Sequence, residues 1–144
     1  MKISRIFEFD AGHRIPNHNS ECRNLHGHRY KLELTLQGKV LNTQGESHEG
    51  MVLDFADIKK ITNKIVDQVD HSFFVYESDT QMLDFLKTTD SKYTVLTAIP
   101  TVENIAKFLL ENLKPNFEKT YNDSLIIKKI KLWETPNCFV TLNA

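Results

Sequence analysis

The chain has 144 residues, which fits one domain with an ordinary hydrophobic core. Its 18 basic and 19 acidic residues leave a formal net charge of −1, so no strong positive field is present to attract nucleic acid or an anionic membrane. No apolar run approaches the roughly 20 residues that span a bilayer, and the N-terminus lacks the apolar core of a secretion signal. We therefore expect a cytoplasmic protein that binds a small ligand.

The first two predicted elements are strands. Apolar and polar residues alternate over residues 3–13, and His13 falls on the apolar parity. Residues 14–25 carry proline, asparagine and serine and predict a loop. The stretch HGHRYKLELTLQG then alternates again, with His26 and His28 on the same parity as its leucines. Together these segments predict an antiparallel hairpin.

Two helices are predicted further along the chain. The first begins after Asp54 as N-cap, carries an apolar stripe at helical spacing, and ends near Asp70 and His71. The second opens with Thr101 as N-cap and is expected to end at Pro115.

Between and after the helices the signals are shorter. Residues 42–50 predict a polar turn, and the irregular segment 73–99 contains a possible short helix over 79–87 and a possible short strand over 93–96. The C-terminal stretches SLIIKKIKLWE and CFVTLNA predict two strands joined by a tight turn. We expect one α+β domain over residues 1–144: a four-stranded antiparallel sheet with two helices on one face and an irregular insertion before the second helix.

Three histidines are expected to meet. In an antiparallel hairpin the end of one strand lies beside the start of the next, so His13, His26 and His28 should share one rim and one face of the sheet. Three imidazole nitrogens with one open position are typical of catalytic zinc sites, although iron and nickel also suit imidazole. The alternative is that each histidine packs separately. Glu33 has the spacing of a further ligand but the opposite parity.

The two cysteines are too few for a disulfide framework, so each is considered alone. Cys22, four residues before His26, is either a fourth zinc ligand, a reactive thiolate or an ordinary loop residue. Cys138 begins a predicted strand and is expected to be buried. Asp70 and His71 fit a helix C-terminus, yet a histidine oriented by an acid is also what acid–base chemistry uses.

Three more residues are candidates for ligand binding. Glu134 has core-facing parity at a strand end, where a carboxylate needs either a lysine or arginine partner or the guanidine-like edge of a ligand. Thr101 and Glu103 are adequately explained as an N-cap and a first-turn acid, so a functional role for them stays open.

The motifs AGHR, CRNLHGH, DFADIKK, DH, PTVENIA and WET follow one another as in the 6-pyruvoyltetrahydropterin synthase superfamily, which the chain resembles over nearly its whole length. The Cys-x3-His-Gly-His spacing is typical of the 6-carboxytetrahydropterin synthase branch, since the pyruvoyl branch usually has a longer gap. A third branch, which cleaves dihydroneopterin, has a glutamate just after the cysteine position, where this chain has Arg23.

The resemblance implies roles for the candidate residues. It implies three ligands for Zn²⁺: His13, His26 and His28. It implies four catalytic residues: Cys22 as base, Asp70 and His71 as an acid–base pair, and Glu134. It implies three residues that bind the pterin: Glu134, Thr101 and Glu103. Arg14, Arg23 and Arg29 are candidates for binding the triphosphate of the substrate.

The resemblance also implies the tunnelling fold, a homo-oligomer built as a hexamer of two trimers, and active sites at subunit interfaces. The implied lyase reaction converts 7,8-dihydroneopterin triphosphate to 6-carboxy-5,6,7,8-tetrahydropterin, acetaldehyde and triphosphate, on the route to queuosine and other 7-deazapurines. The alternatives are a 6-pyruvoyltetrahydropterin synthase and a non-catalytic, zinc-stabilised pterin-binding module. Residues 42–50 and 73–99 are longer than in compact members, so the loops over the site and the substrate range are open.

Overall fold

The computed structural model describes residues 1–144. The elements in chain order are β1 (Lys2–His13), β2 (His26–Gly38), α1 (Phe55–Val69), β3 (Ser72–Tyr76), α2 (Thr80–Thr88), β4 (Tyr93–Leu96), α3 (Val102–Tyr121), β5 (Leu125–Trp133) and β6 (Phe139–Asn143). Short 3-10 turns occupy Glu21–Arg23 and Asn122–Ser124. None of the helices combines the length and hydropathy that crossing a bilayer requires.

One six-stranded sheet, in the order β4-β3-β1-β2-β5-β6, organises the chain. β1 with β2, β2 with β5, and β5 with β6 pair antiparallel, whereas β3 pairs parallel with both β1 and β4. The predicted α+β class is confirmed, but the expectation of four antiparallel strands is wrong. The segment SFFVY forms β3, and its continuous apolar run lacks the alternation that identified the other strands.

The main core lies between one face of the sheet and helices α1 and α3. Asp54 caps α1 by accepting a hydrogen bond from the Ala56 N–H at 2.7 Å, as predicted. The predicted end of α3 at Pro115 is wrong, because the helix continues to Tyr121. Phe117 extends the apolar stripe beyond the proline and is 1% exposed. We attribute the continuation to this burial, which offsets the hydrogen bond that proline cannot make.

The third helix, α2, packs on the opposite face of the sheet. Side chains alternate along β3, so Phe74 enters the main core while Val75 contacts Met82 and Leu86 of α2 in a separate small cluster. The predicted pair of helices on one face is therefore correct for α1 and α3, and the insertion adds a helix on the other face.

A bidentate ion pair connects α2 to the end of β1. The Arg14 guanidinium donates to both oxygens of Asp79 at 2.7 and 2.6 Å, and the same carboxylate caps α2 through the Met82 N–H. The Arg14 hydrogen bonds lower the pKa of the Asp79 carboxyl below its usual value of 3.8. Because the carboxylate is nearly buried, the pair is screened less than a surface pair would be.

The expectation that Cys138 is buried is wrong. It lies in the turn before β6 rather than inside the strand, and its side chain is exposed. Its carbonyl accepts the Glu134 N–H at 3.0 Å, so the backbone closes the turn while the side chain faces solvent. Cys22 and Cys138 are both free thiols.

The Asp79→Asn substitution should lower the free energy of unfolding by about 1–2 kcal/mol at pH 7, because it removes a partly buried charge-assisted pair. A carboxyl with a depressed pKa stabilises the fold above its unfolded pKa and loses that contribution as the pH falls through the folded value. The difference between wild type and variant should therefore decrease as the pH falls below about 3.8. Urea titrations from pH 7 to pH 3, with exposed Asp84→Asn as control, measure it; a difference independent of pH would contradict the role of the charge.

Candidate metal centre and active site

The hairpin register brings the three histidines together. His13 pairs with His26 across β1 and β2, and His28 pairs with Ala11 two positions away. The three ring centroids lie 4.5, 5.2 and 5.0 Å apart, and one nitrogen from each ring falls within 4.8 Å of the other two. The prediction that these side chains converge at one rim of the sheet is confirmed, and the group can hold a metal ion.

Glycine is required between the two histidines of β2. A Cβ atom at Gly27 would lie 2.9 Å from the carbonyl oxygen of Ala11, closer than side-chain carbons approach backbone oxygens. The partner of Gly27 in the register is Gly12, so the strands are in close contact at this pair. The His-Gly-His sequence thus combines two ligands with the close approach that places His13 beside them.

The protonation of His13 follows from its surroundings. Its Nδ1 lies 2.7 Å from the carbonyl oxygen of Pro100, which can only accept, so Nδ1 carries the proton. The side chain is fully buried, and burial lowers its pKa to about 4, which keeps the ring neutral at pH 7. Its Nε2 is therefore a buried lone pair without any hydrogen-bond partner. Such a nitrogen is suited to a metal ion.

The other two rings are similar but less buried. The Nδ1 of His26 lies 2.8 Å from the carbonyl oxygen of Asn24 and donates to it, which again leaves Nε2 free. Burial lowers the pKa of His28, so this ring is also neutral at pH 7. Three imidazoles form a donor set that fits zinc and other borderline divalent ions.

Cys22 and Glu33 both lie outside this ligand group. The carbonyl of Cys22 accepts the Ile15 N–H at 2.8 Å, which folds the loop back beside the end of β1. Its thiol does not lie within 4.8 Å of all three nitrogens. Glu33 lies 3.6 Å from Lys129 on the opposite face of the sheet, as its parity predicted.

Glu134 lies beside the histidines. One of its oxygens is 3.6 Å from Nε2 of His13, and its negative charge opposes the lowering of the His28 pKa. Because β5 ends at Trp133 while β2 continues to His26, the sheet has a notch at this point. A cavity of about 520 Å³ occupies the notch, and His28 and Glu134 both line it.

Asp70 and His71 form a dyad on the other side of the histidine group. Nδ1 of His71 is 2.9 Å from a carboxylate oxygen of Asp70, and the other Asp70 oxygen accepts the Asp10 N–H at 2.9 Å. That backbone hydrogen bond is the main reason why the pKa of Asp70 is lowered. The His71 side chain is 78% exposed and lines a shallow cavity of about 660 Å³ together with His26. The structure thus brings His71 near the rim but not into the notch with Glu134.

The two remaining candidates have structural roles in this chain. Thr101 caps α3 by accepting the Asn104 N–H at 3.4 Å, and Glu103 is exposed in its first turn. Neither residue lines the two cavities described above. Sequence reasoning missed two groups that orient the site: the Pro100 carbonyl, which orients His13, and Asp10, whose backbone holds the dyad. Backbone groups give no signal in residue type, and only the tertiary structure shows them.

Comparison with known proteins agrees with this geometry. The family model described as 6-pyruvoyl tetrahydropterin synthase matches residues 2–144. The chain is similar to 6-carboxy-5,6,7,8-tetrahydropterin synthase of Rickettsia bellii, at 41% identity with 97% of this chain and 98% of that protein covered. It is also similar to the Haemophilus influenzae protein of the same name, at 36% identity with 96% of each covered.

A solved structure supports the fold. Caenorhabditis elegans 6-pyruvoyl tetrahydropterin synthase aligns with a TM-score of 0.69 at 26% identity, covering 100% of this chain and 95% of that one. The tunnelling fold expected from the motifs is confirmed by this likeness. Together with the family match over nearly the whole sequence, it shows that the chain belongs to the 6-pyruvoyl tetrahydropterin synthase family.

Proposed function

We propose that the chain is a zinc-dependent 6-carboxy-5,6,7,8-tetrahydropterin synthase, a lyase that converts 7,8-dihydroneopterin triphosphate and one water molecule to 6-carboxytetrahydropterin, acetaldehyde and triphosphate for queuosine synthesis. The observation that supports the proposal is the convergence of three histidines, together with the buried, unpartnered Nε2 of His13. The full-length similarity to proteins of that name selects the reaction.

His13, His26 and His28 would hold the metal through nitrogens that the hydrogen bonds to Pro100 and Asn24 leave free. Zinc bound there would supply Lewis-acid polarisation of the hydroxyl groups on the substrate side chain. The protein fixes the ring orientations in advance, because the carbonyl partners hold the tautomers of His13 and His26. Cys22 lies outside the ligand group, which favours an open site over a closed structural one.

Proton transfer is assigned to Cys22 and to the dyad of Asp70 and His71. Cys22 in its half-buried loop takes a proton from the substrate side chain, and His71 exchanges a proton on the other side, oriented by Asp70 at 2.9 Å. His71 is 78% exposed within one chain, so a second copy is proposed to cover it and complete the site. This agrees with a hexamer of two trimers with interfacial active sites.

Glu134 is proposed to bind the guanidine-like edge of the pterin. Its carboxylate has no lysine or arginine partner within 4.0 Å and lines the notch, so two oxygens are available to accept paired N–H groups. Thr101 and Glu103 are proposed to line the pterin pocket only in the oligomer, since neither reaches the notch in one chain.

The second candidate is a 6-pyruvoyltetrahydropterin synthase, because the C. elegans structure of that name has the same fold at 26% identity. The product distinguishes the two enzymes, since only the carboxy synthase releases acetaldehyde. A non-catalytic binding module is less well supported, because its closed zinc site would need Cys22 as the fourth ligand.

The His26→Ala variant should lose zinc affinity by more than about 100-fold while keeping its fold, because one of three protein ligands is removed from the rim of the sheet. Competition with a zinc chelator measures the affinity, and circular dichroism checks the fold. His48→Ala is the matched control, since His48 lies in the polar segment beside Asp57. Equal zinc affinity in the two variants would contradict the assigned site.

The Cys22→Ala variant should retain one zinc per chain and lose acetaldehyde release by at least about 100-fold, because a proton-transfer group is removed but no ligand. Turnover is measured by mass spectrometry of the pterin product after incubation with 7,8-dihydroneopterin triphosphate. Cys138→Ala is the control, because it removes an exposed thiol outside the site. Loss of zinc in Cys22→Ala would make Cys22 a ligand. A pyruvoyl product from the wild type would assign the chain to the other synthase.

A further inference from the structure

The notch between β2 and β5 has a basic side that the proposed reaction has not used. Besides His28 and Glu134, the cavity is lined by Arg29, Lys31 and Trp133. Arg29 and Lys31 alternate with His28 along β2, so they point to the opposite face from the metal ligands. The cavity therefore joins the histidine group on one face to cationic side chains on the other.

Two ammonium groups gather over one indole ring at this edge. The Nζ atoms of Lys31 and Lys131 lie 4.8 and 4.3 Å from the Trp133 ring centroid. Lys131 is also 3.6 Å from the ring centroid of Phe139, whose ring packs against Trp133 with centroids 5.6 Å apart. These aromatic contacts place both ammonium groups at one indole ring and stabilise their charges there.

Neither ammonium group has a carboxylate partner within 4.0 Å, whereas the basic groups around them are paired. Arg29 makes two hydrogen bonds of 2.9 Å to Asp10, and Lys129 on the same face of β5 lies 3.6 Å from Glu33. Arg14, another of the arginines expected near the site, is paired with Asp79. Two of the three arginines expected to bind the triphosphate are thus occupied by carboxylates.

We infer that Lys31 and Lys131, held over Trp133, bind the triphosphate group of the substrate whose pterin contacts Glu134 in the same notch. This inference rests on the proposed function for the identity of the substrate. Free ammonium groups attract an oligophosphate without a bidentate geometry. The two lysines would hold the triphosphate group during the reaction. They would also contribute to the affinity of the protein for the triphosphate product after its bond to the substrate side chain breaks.

The dimensions agree with this assignment. A strand advances by about 3.3 Å per residue, so Lys31 lies about 10 Å along β2 from His28. The substrate has a three-carbon side chain that carries the triphosphate. When the hydroxyls of this side chain lie at the histidine group, the triphosphate extends over a distance comparable to that between His28 and Lys31.

One acidic side chain allows a second test, in which the affinity for the anion should increase instead of decrease. Glu8 lines the same cavity and is the register partner of Lys31 across the sheet. Its carboxylate forms no ion pair within 4.0 Å and repels a bound phosphate. Removal of this charge by Glu8→Gln should therefore strengthen binding of the anion, and loss of the lysine charges should weaken it.

The experiment measures binding of three probes to the zinc-loaded full chain by calorimetry at low salt: inorganic triphosphate, 7,8-dihydroneopterin and 7,8-dihydroneopterin triphosphate. The last probe is measured with Cys22→Ala added to every variant, so that it is bound but not converted. The Lys31→Gln/Lys131→Gln double variant should bind both triphosphate-bearing probes at least about tenfold more weakly and dihydroneopterin as well as wild type does. Glu8→Gln should bind inorganic triphosphate more tightly. Lys129→Gln is the matched control, because its charge is paired with Glu33 and does not lie over Trp133, and it should bind all three probes like wild type.

A Glu134→Gln variant separates the inference from the proposed function, since it should weaken binding of both pterins but should not weaken binding of inorganic triphosphate. If the lysine double variant binds inorganic triphosphate like wild type, or loses no more affinity than Lys129→Gln, the lysine assignment is wrong whatever the reaction is. If inorganic triphosphate responds to the lysines but wild type forms no pterin product and Glu134→Gln binds both pterins normally, the proposed reaction is wrong and the anion site stands.

Discussion

The pairing of His13 with His26 in the β1–β2 hairpin is the constraint on which the site depends. Side chains alternate along a strand, so a slip of one residue would turn His26 and His28 to the opposite face from His13. The same slip would separate Gly12 from Gly27. Residues with side chains would then lie where the two strands are too close for a Cβ atom. Core packing and metal binding therefore select one register, because both need the same parity of β2.

Burial of His13 links folding to the metal. A fully buried ring that donates one hydrogen bond and leaves Nε2 unpartnered carries a cost of about 1–3 kcal/mol for the unsatisfied nitrogen. Metal binding would remove that cost, so part of the binding energy stabilises the fold. Pro100 takes part in this link, since its carbonyl orients the ring from the start of α3. The backbone just before helix α3 thus helps to position the site.

Strand parity and helix capping were enough to predict much of this arrangement from sequence. The convergence of the histidines, the outward direction of Glu33 and the Asp54 cap followed from local periodicity, which the tertiary structure preserves. Glu134 was expected on the core side, and it lies there, 3.6 Å from His13.

Other features depended on tertiary packing and gave no local signal. Strand β3 is too short and uniformly apolar to show alternation, and α3 passes Pro115 because Phe117 finds a place in the core. Cys138 is exposed because the turn, not the strand, contains it. The locations of Asp70 and His71 on a face with Asp10, and of Lys31 and Lys131 over one ring, depend on strand order, which a single sequence does not specify.

The central claim is that the three histidines form an open metal site from which Cys22 is absent as a ligand. X-ray absorption spectroscopy of the zinc-loaded protein tests it most directly, because sulfur and nitrogen scatter at different distances. We expect three imidazole nitrogens and an oxygen at about 2.0–2.1 Å, with no sulfur shell. A sulfur atom at about 2.3 Å would place Cys22 on the metal, close the site and contradict the catalytic assignment.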